Sequence, residues 1–242
     1  MQDTKYILEK TEDGSISFIN TEFNESYHSI IGAYKEALHK HVLACKIEEL
    51  TLNRVKDPSN REPIKILDVC FGLGYNSGVA MEKIWEINPD QEIEIIGLES
   101  DLGIIQKISE LEISENYENV HKILTSLSKD VHKSEQDQEF LEFKDKNINI
   151  KVLIDDARNS VKSLAKNYFD AVFFDPFSPK SCPVLWTEEF IKDVVSSAKA
   201  GAYISTYSSS RLAKDGFKNA ACELFEGPKL NRRNGGVLAR KN

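Results

Sequence analysis

The stretch Ile66-Leu67-Asp68-Val69-Cys70-Phe71-Gly72-Leu73-Gly74 decides the fold. Its first half is apolar apart from Asp68, the pattern of a strand buried on both faces. Its second half places two glycines two residues apart, where the backbone can turn tightly and lie close to a ligand. Val79, Ile84 and Trp85 then recur at helical spacing. A plain strand–helix turn also carries Gly-x-Gly, so the motif gains meaning only from its neighbours.

Outward from this unit the alternation repeats. Residues 93–98 read as a second strand ending at Glu99, and residues 101–113 as helix. Residues 148–154 form a third strand ending at Asp155-Asp156, followed by a helix over 157–165. Residues 169–174 form a fourth strand ending at Asp175. Thr187 reads as an N-cap, with Glu188 and Glu189 in the first turn. A fifth strand at 202–206, a helix at 211–221 and closing strands at 223–225 and 237–239 complete the pattern. Residues 115–147 are charged and ambiguous, and read as helix with loop. Upstream, residues 5–19 read as a hairpin turning at Thr11-Glu12-Asp13-Gly14. Ile31, Tyr34, Leu38, Val42 and Cys45 recur at helical spacing, and Asp57-Pro58-Ser59-Asn60 breaks the chain. The expectation is an α/β fold with a mainly parallel seven-stranded sheet and helices on both faces. It occupies residues 61–242, with residues 1–60 a hairpin-and-helix extension packed on it.

Composition narrows the classes. The chain has 242 residues, 40 % apolar and 29 % charged, which argues for a folded globular protein and against disorder. No run of eighteen apolar residues is present, and residues 1–10 carry charges where a signal peptide needs an apolar core. Cys45, Cys70, Cys182 and Cys222 form no Cys-x-x-Cys, so a reduced cytoplasmic setting is expected. His39 and His41 point to different sides of a helix, and no metal site is expected. The net charge of −8 is uneven. Residues 206–242 hold eight basic and three acidic side chains, +5, and the remainder −13. A basic segment on an acidic chain suits a local anionic partner, although a solvated face carries scattered lysines as well.

The unusual residues gather at the carboxyl ends of the strands, where ligands of parallel sheets bind. Gly72 and Gly74 line one turn. Glu99 can accept both hydroxyls of a ribose. Asp155 or Asp156 can accept an exocyclic amine of adenine, with room for the ring over Ala157, and Asp156 can also cap the following helix. No GxGxxG or GxxxxGK[ST] indicates a dinucleotide or triphosphate. The fourth strand delivers Asp175-Pro176-Phe177-Ser178-Pro179, an acid followed by a stiff loop with a flat aromatic face. Such a loop suits an amine acceptor. Asp175 and a neighbouring carbonyl can accept its N–H bonds, aim its lone pair, and receive or relay a proton. The order of motifs resembles class I methyltransferases of Rossmann type and the related aminopropyltransferases, although the GGGxGG turn of the latter is missing.

Closer resemblance lies in longer segments. Cys70-Phe71-Gly72-Leu73-Gly74-Tyr75-Asn76 resembles the GFGTGLN motif of MnmC-type methyltransferase domains, which modify tRNA. Asp175-Pro176-Phe177-Ser178-Pro179-Lys180 and Pro183-Val184-Leu185-Trp186-Thr187-Glu188-Glu189 resemble their DGFAP…P-x-MWT-x-E segment. Ser205-Thr206-Tyr207-Ser208, followed by Arg211, resembles their A-T-Y-S strand end. Tyr27-His28-Ser29, Gly32-Ala33 and Glu36 resemble their amino-terminal Y-x-S…GA…E stretch. The resemblance spans residues 22–240; Cys70, Leu73, Ser77 and Pro176 depart from it. It implies S-adenosylmethionine as cofactor, held by Phe71, Gly72, Gly74, Asn76, Glu99, Asp155, Asp156, Ala157 and Asp175. It implies a catalytic Asp175, and an acceptor held by Tyr27, Pro176, Phe177, Tyr207 and Arg211. The implied reaction methylates the primary amine of 5-aminomethyl-(2-thio)uridine at the wobble position of a tRNA anticodon stem-loop, in a stand-alone form without the FAD-dependent oxidase half. A base reacting from a loop stacks on aromatic faces, for which Phe177, Tyr207 and Trp186 stand ready, Trp186 also fitting the core. Two other readings remain open. A small-amine transferase, either an aminopropyltransferase or a small-molecule N-methyltransferase, fits the same acids. An RNA-binding module with a degenerate pocket does not need Gly72, Gly74, Glu99, Asp156 and Asp175 together.

Overall fold

A computed structural model describes residues 5–57, 59–111, 118–129, 131–134, 138–230 and 235–242. The amino-terminal strands β1 (Tyr6–Lys10), β2 (Ile16–Asn20) and β3 (Glu25–Ser26) form a small antiparallel sheet. Asp13, in its first turn, lies under Gly32 and accepts a hydrogen bond from the Lys35 amide at 3.0 Å, so the turn serves as the cap of the next helix. A Cβ on Gly32 would fall 1.9 Å from the Asp13 carboxyl carbon, which leaves room only for glycine. Helix α1 (Ala33–Glu36) runs on into a π-helical stretch, Ala37–Val42. The expected single helix is therefore interrupted by wider turns: the Leu43 amide bonds the Leu38 carbonyl five residues back. Helix α2 (Ile47–Lys56) follows.

The main sheet contains β4 (Ile64–Val69), β5 (Ile93–Glu99), β6 (Val131–Lys133), β7 (Glu139–Asp145), β8 (Ile148–Ile154), β9 (Phe169–Phe174), β10 (Ala198–Thr206), β11 (Cys222–Glu226) and β12 (Val237–Lys241). Helices α3 (Tyr75–Ile87), α4 (Leu102–Gln106), α5 (Glu118–Leu127), α6 (Ala157–Ser160), α7 (Glu188–Ser197) and α8 (Arg211–Asn219) join them. The spatial order is β11-β12-β10-β9-β4-β5-β8-β7-β6. The five central strands, β10 to β8, run parallel, and the outer pairs are antiparallel. The expected α/β sheet is thus present, with nine described strands in place of seven. The two additional strands are β6 and β7, in the region 115–147 whose charged, half-exposed alternation carries no strong strand signal. They pair at the edge beyond β8, where one face stays wet.

Apolar side chains divide between the two sheet faces. Ile66, Ile95, Ile150 and Phe173 point to the side of α3, the π-helical stretch and the amino-terminal sheet, with Ala37, Val79, Met81 and Phe18. Leu67, Val69, Leu98 and Phe174 point to the other, packed on Phe190, Ile191, Val194 and Phe217 of α7 and α8. The chain leaves β4 toward β5 and β8 on one side, then returns to β9 and β10 on the other. The reversal between β4 and β9 is the topological switch point, which places a binding crevice at the carboxyl ends of these strands. Gly97 in β5 keeps the first turn in place. A Cβ there would come within 2.7 Å of the Phe71 ring and 2.9 Å of Val152. Gly97→Ala is expected to cost about 1–3 kcal/mol through overpacking and to lower Tm by several degrees; a thermal melt unchanged within a degree would contradict this packing.

Candidate active site

A cavity of about 440 Å³ opens at the switch point. It is floored by the β4–α3 turn, walled by the end of β5 and the loop after β9, and covered by residues 20–31 of the amino-terminal sheet and its exit. Cys70 and Gly72 both have positive φ, 66° and 54°. Together they bring the backbone of residues 70–72 against the cavity. The Cys70 and Phe71 amides bond the Leu98 carbonyl at 2.9 and 3.0 Å, which locks this turn to β5.

Glu99 is buried and held by three backbone donors. The Gly72 amide bonds Oε2 at 2.9 Å, and the Ser100 and Asp101 amides bond Oε1 at 2.8 and 2.9 Å. Burial pushes its carboxyl above the ordinary range against the pull of these amides. A carboxylate has about four acceptor positions, so one is left for a ligand hydroxyl.

Asp175 is fixed by its amide, which bonds the Val69 carbonyl at 3.1 Å. Asn76 on α3 donates to Oδ2 at 3.0 Å, and His41 Nε2 lies 3.5 Å from the same oxygen. Burial alone would raise this carboxyl, but the His41 imidazole and the Asn76 amide bring it below the usual carboxylate range. Behind it, Asp68 accepts from Ser77 Oγ at 2.6 Å and is pushed up to about 7 by burial. Its folded pKa thus exceeds its unfolded value, so the native state holds the proton more tightly than the unfolded chain. This group therefore subtracts stability as pH rises from 3.8 to about 7 and no more beyond. Asp68→Asn is expected to flatten that decline in urea midpoints; equal pH slopes in variant and wild type would contradict it.

The loop after β9 is held from all sides. Glu25 accepts from the Ser178 amide at 2.7 Å, Trp186 Nε1 donates to the Phe177 carbonyl at 2.8 Å, and the Tyr207 hydroxyl donates to the Pro176 carbonyl at 3.1 Å. The Phe177 ring contacts Phe23 and Tyr27 with centroids 4.9 and 5.0 Å apart, so its flat face already meets aromatic neighbours from the amino-terminal cover. Trp186 is core, buried against Phe174.

Of the residues expected from sequence, Tyr27, Phe71, Gly72, Asn76, Glu99, Asp175, Pro176, Phe177 and Tyr207 line this cavity together. Gly74, Asp155, Asp156, Ala157 and Arg211 do not reach its wall. Gly74 lies under the Phe71 ring and serves the turn. Asp156 caps α6, accepting from the Arg158 amide at 2.9 Å, and pairs with the Arg158 guanidinium. Arg211 points to solvent and pairs with Asp215. The basic carboxyl-terminal segment is likewise partly spoken for. Lys241 bonds the carbonyls of Ser196 and Ala198, and Lys229 pairs with Glu226, while Arg232 and Arg233 lie outside the described residues.

Sequence reasoning gave no role to His41, to Glu25 or to the cover residue Phe23, and quoted His28 and Glu36 only as part of a motif. Glu36 is buried with Lys40, 2.7 Å apart, and accepts from the Ser29 amide at 2.6 Å. His28 Nδ1 lies 3.0 Å from Ser17 Oγ, and burial lowers its pKa below the usual imidazole value. Among the described residues, the cavity wall carries Glu9, Glu25, Glu36, Glu99, Asp101 and Asp175 and no lysine or arginine, although Lys40 pairs with Glu36 and Lys5 with Asp101 from behind it. It complements a positive ligand. Among the described residues, no group of three or more histidine, cysteine or acidic side chains is placed to hold a metal, and no helix is long and apolar enough to cross a membrane.

Comparison with known proteins bears on the family and the fold. A family model described as S-adenosyl-L-methionine-dependent methyltransferase matches residues 118–242. The crystal structure of MNMC2 from Aquifex aeolicus superposes with a TM-score of 0.80 at 30 % identity, covering 100 % of this chain and 71 % of that one. An uncharacterised protein of Methanocaldococcus jannaschii is 27 % identical over 238 residues, 98 % of this chain and 60 % of its own length. The tRNA 5-methylaminomethyl-2-thiouridine biosynthesis bifunctional protein MnmC of Leptospira interrogans is 22 % identical over 227 residues, 92 % of this chain and 33 % of its own length. The chain therefore spans 60 % and 33 % of the lengths of these two curated relatives, less than two thirds of each.

Proposed function

The chain belongs to the S-adenosyl-L-methionine-dependent methyltransferases related to MnmC, and from that premise we propose that it methylates the primary amine of 5-aminomethyl-(2-thio)uridine at the wobble position of tRNA. The product is 5-methylaminomethyl-(2-thio)uridine. The observation that carries this reading is Asp175. It stands at the switch point in a cavity shared with Glu99 and the β4–α3 turn, followed directly by the Pro176-Phe177 wall. The name of the Leptospira MnmC relative supports the choice of acceptor.

The residues present fit the cofactor. The turn at Gly72 exposes backbone rather than side chain, Glu99 retains an acceptor position, and the acidic wall suits a sulfonium cation. In the proposed assignment Glu99 holds the ribose, Phe71, Gly72, Gly74 and Asn76 shape the turn around the cofactor, and the adenine lies toward Asp155, Asp156 and Ala157, past Cys182. When bound, the cofactor supplies an electrophilic methyl group on its sulfonium. The chain's part is to place the acceptor nitrogen. Asp175 Oδ1 accepts no hydrogen bond from a described side chain, and in the proposal it receives an N–H of the amine and aims its lone pair. Since Asp175 is held ionised, it orients the amine rather than storing its proton, and the ammonium proton passes to solvent before the lone pair attacks. Tyr27, Phe177 and Tyr207 form the wall for the base, and Arg211 lies further out toward the RNA backbone. Holding the reactants in line accounts for up to ~7–11 kcal/mol of barrier reduction in favourable cases.

The test uses purified protein, radiolabelled S-adenosylmethionine and tRNA from cells lacking the terminal methylation, with nucleoside analysis of the product. Label in 5-methylaminomethyl-type uridine is the expected result. Transfer to putrescine or another small amine, with none to tRNA, would replace the acceptor by a small amine, a reading that the acidic wall also accommodates. Binding to the anticodon stem-loop is expected to weaken steeply with salt, as phosphate contacts require.

A further inference from the structure

Behind the amine-facing wall of the cavity lies a buried histidine. His41 is fully buried. It comes from the π-helical stretch Ala37–Val42, and π-helical turns inside helices are frequent at functional positions. Its ring is fixed on two sides. Nδ1 lies 2.9 Å from Ser205 Oγ, near the end of β10, and the ring meets Phe173 edge-on at 5.6 Å. In the tautomer in which Ser205 donates to Nδ1, the ring N–H resides on Nε2. That atom is buried without a full hydrogen bond and faces Asp175 Oδ2 at 3.5 Å. A buried donor left short of a partner is unfavourable, so its position calls for a role in serving the carboxylate. Catalytic hydrogen bonds are often long in a free enzyme and tighten in the complex.

We infer that His41 is a positioning residue that clamps Asp175 Oδ2 from behind, so that Oδ1 is the oxygen presented to the acceptor amine. This rests on the reading of Asp175 as the amine's acceptor. Asn76 and His41 converge on one oxygen of the carboxylate from two different elements, α3 and the π-helical stretch. Two donors on Oδ2 fix the carboxylate's rotation about Cβ–Cγ; one would leave it free to swing. Placement within a fraction of an ångström matters here, because misplacement by about 1 Å costs on the order of 100-fold in rate. The π-helical turn is what makes the contact. Glu36 and Lys40 pair at four-residue spacing, while His41, one residue on, reaches the sheet at Ser205 and Asp175.

Two measurements test the clamp. In single-turnover assays with tRNA carrying the aminomethyl group, His41→Leu is expected to slow transfer by about 100-fold, with cofactor affinity within about twofold of wild type. His41→Gln, whose side-chain amide can still donate to Oδ2, is expected to recover at least a tenth of wild-type turnover. A merely structural role would not separate the two variants in this way. Wild-type turnover in His41→Leu overturns the proposal, as does His41→Gln no better than His41→Leu. The second measurement needs neither cofactor nor acceptor. In the free protein, the ring-nitrogen NMR shifts of His41 are expected to change in Asp175→Asn, and unchanged shifts overturn the clamp. Wild-type protein inactive on that tRNA would overturn the acceptor reading instead, and the NMR result would still decide the clamp.

Discussion

Replacing Asp175 by alanine is expected to cut methyl transfer by about 10²–10⁴-fold while S-adenosylmethionine affinity changes by no more than a few-fold. The asymmetry follows from the geometry. Asp175 is held below the usual carboxylate range, so at neutral pH it is an ionised acceptor in a buried site. Its hydrogen bonds come from Asn76, its amide is tied to Val69, and His41 stands behind. None of these contacts is needed to hold a nucleoside against Glu99. Asp175→Asn keeps the shape and replaces one acceptor by a donor, so it should lose most of the rate with little change in Tm. The decisive comparison sets single-turnover rates beside calorimetric cofactor affinities for both variants. Near-normal transfer in either one would remove Asp175 from the mechanism.

The second large effect concerns Glu99. Glu99→Gln is expected to weaken cofactor binding by about ten- to a hundredfold, since a hydrogen bond to a charged group contributes about 1.5–3 kcal/mol. It also strikes the scaffold. Three backbone amides converge on the two oxygens, and the glutamine NH₂ cannot accept from any of them. At least one buried amide loses its partner, at about 1–3 kcal/mol, so Tm should fall as well. Glu99→Ala should lose affinity at least as strongly. Calorimetry with S-adenosylmethionine and with S-adenosylhomocysteine separates the ribose contact from any interaction with the sulfonium, because both ligands carry the ribose. Affinity unchanged for both would refute the ribose assignment.

Much of this site was legible in the residues alone. The run from Ile66 to Gly74 announces its strand and turn locally, since buried parallel strands are continuous apolar segments and a tight turn near a ligand requires glycine. Glu99 and Asp175 were findable because strand ends in such sheets face one crevice. Asp156 shows the limit of that rule. It also ends a strand, but a helix begins at the next residue, and its carboxylate is drawn into the cap and the Arg158 pair.

By itself, then, the sequence determined the alternation of strands and helices, the parallel core and the two acids at its ligand edge, because each rests on short-range periodicity and on the position of a residue within its own strand. Tertiary structure alone decided the rest. The edge strands β6 and β7 depend on pairing with β8 rather than on their own weak pattern. The cover over Phe177 joins Phe23 and Tyr27 to a loop some 150 residues away in the chain. The contact of His41 with Ser205 and Asp175 needs a π-helical turn, whose wider winding shifts side chains out of the ordinary helical register. Contacts between residues this far apart leave no periodic trace in the chain, and only folding brings their side chains within reach of one carboxylate.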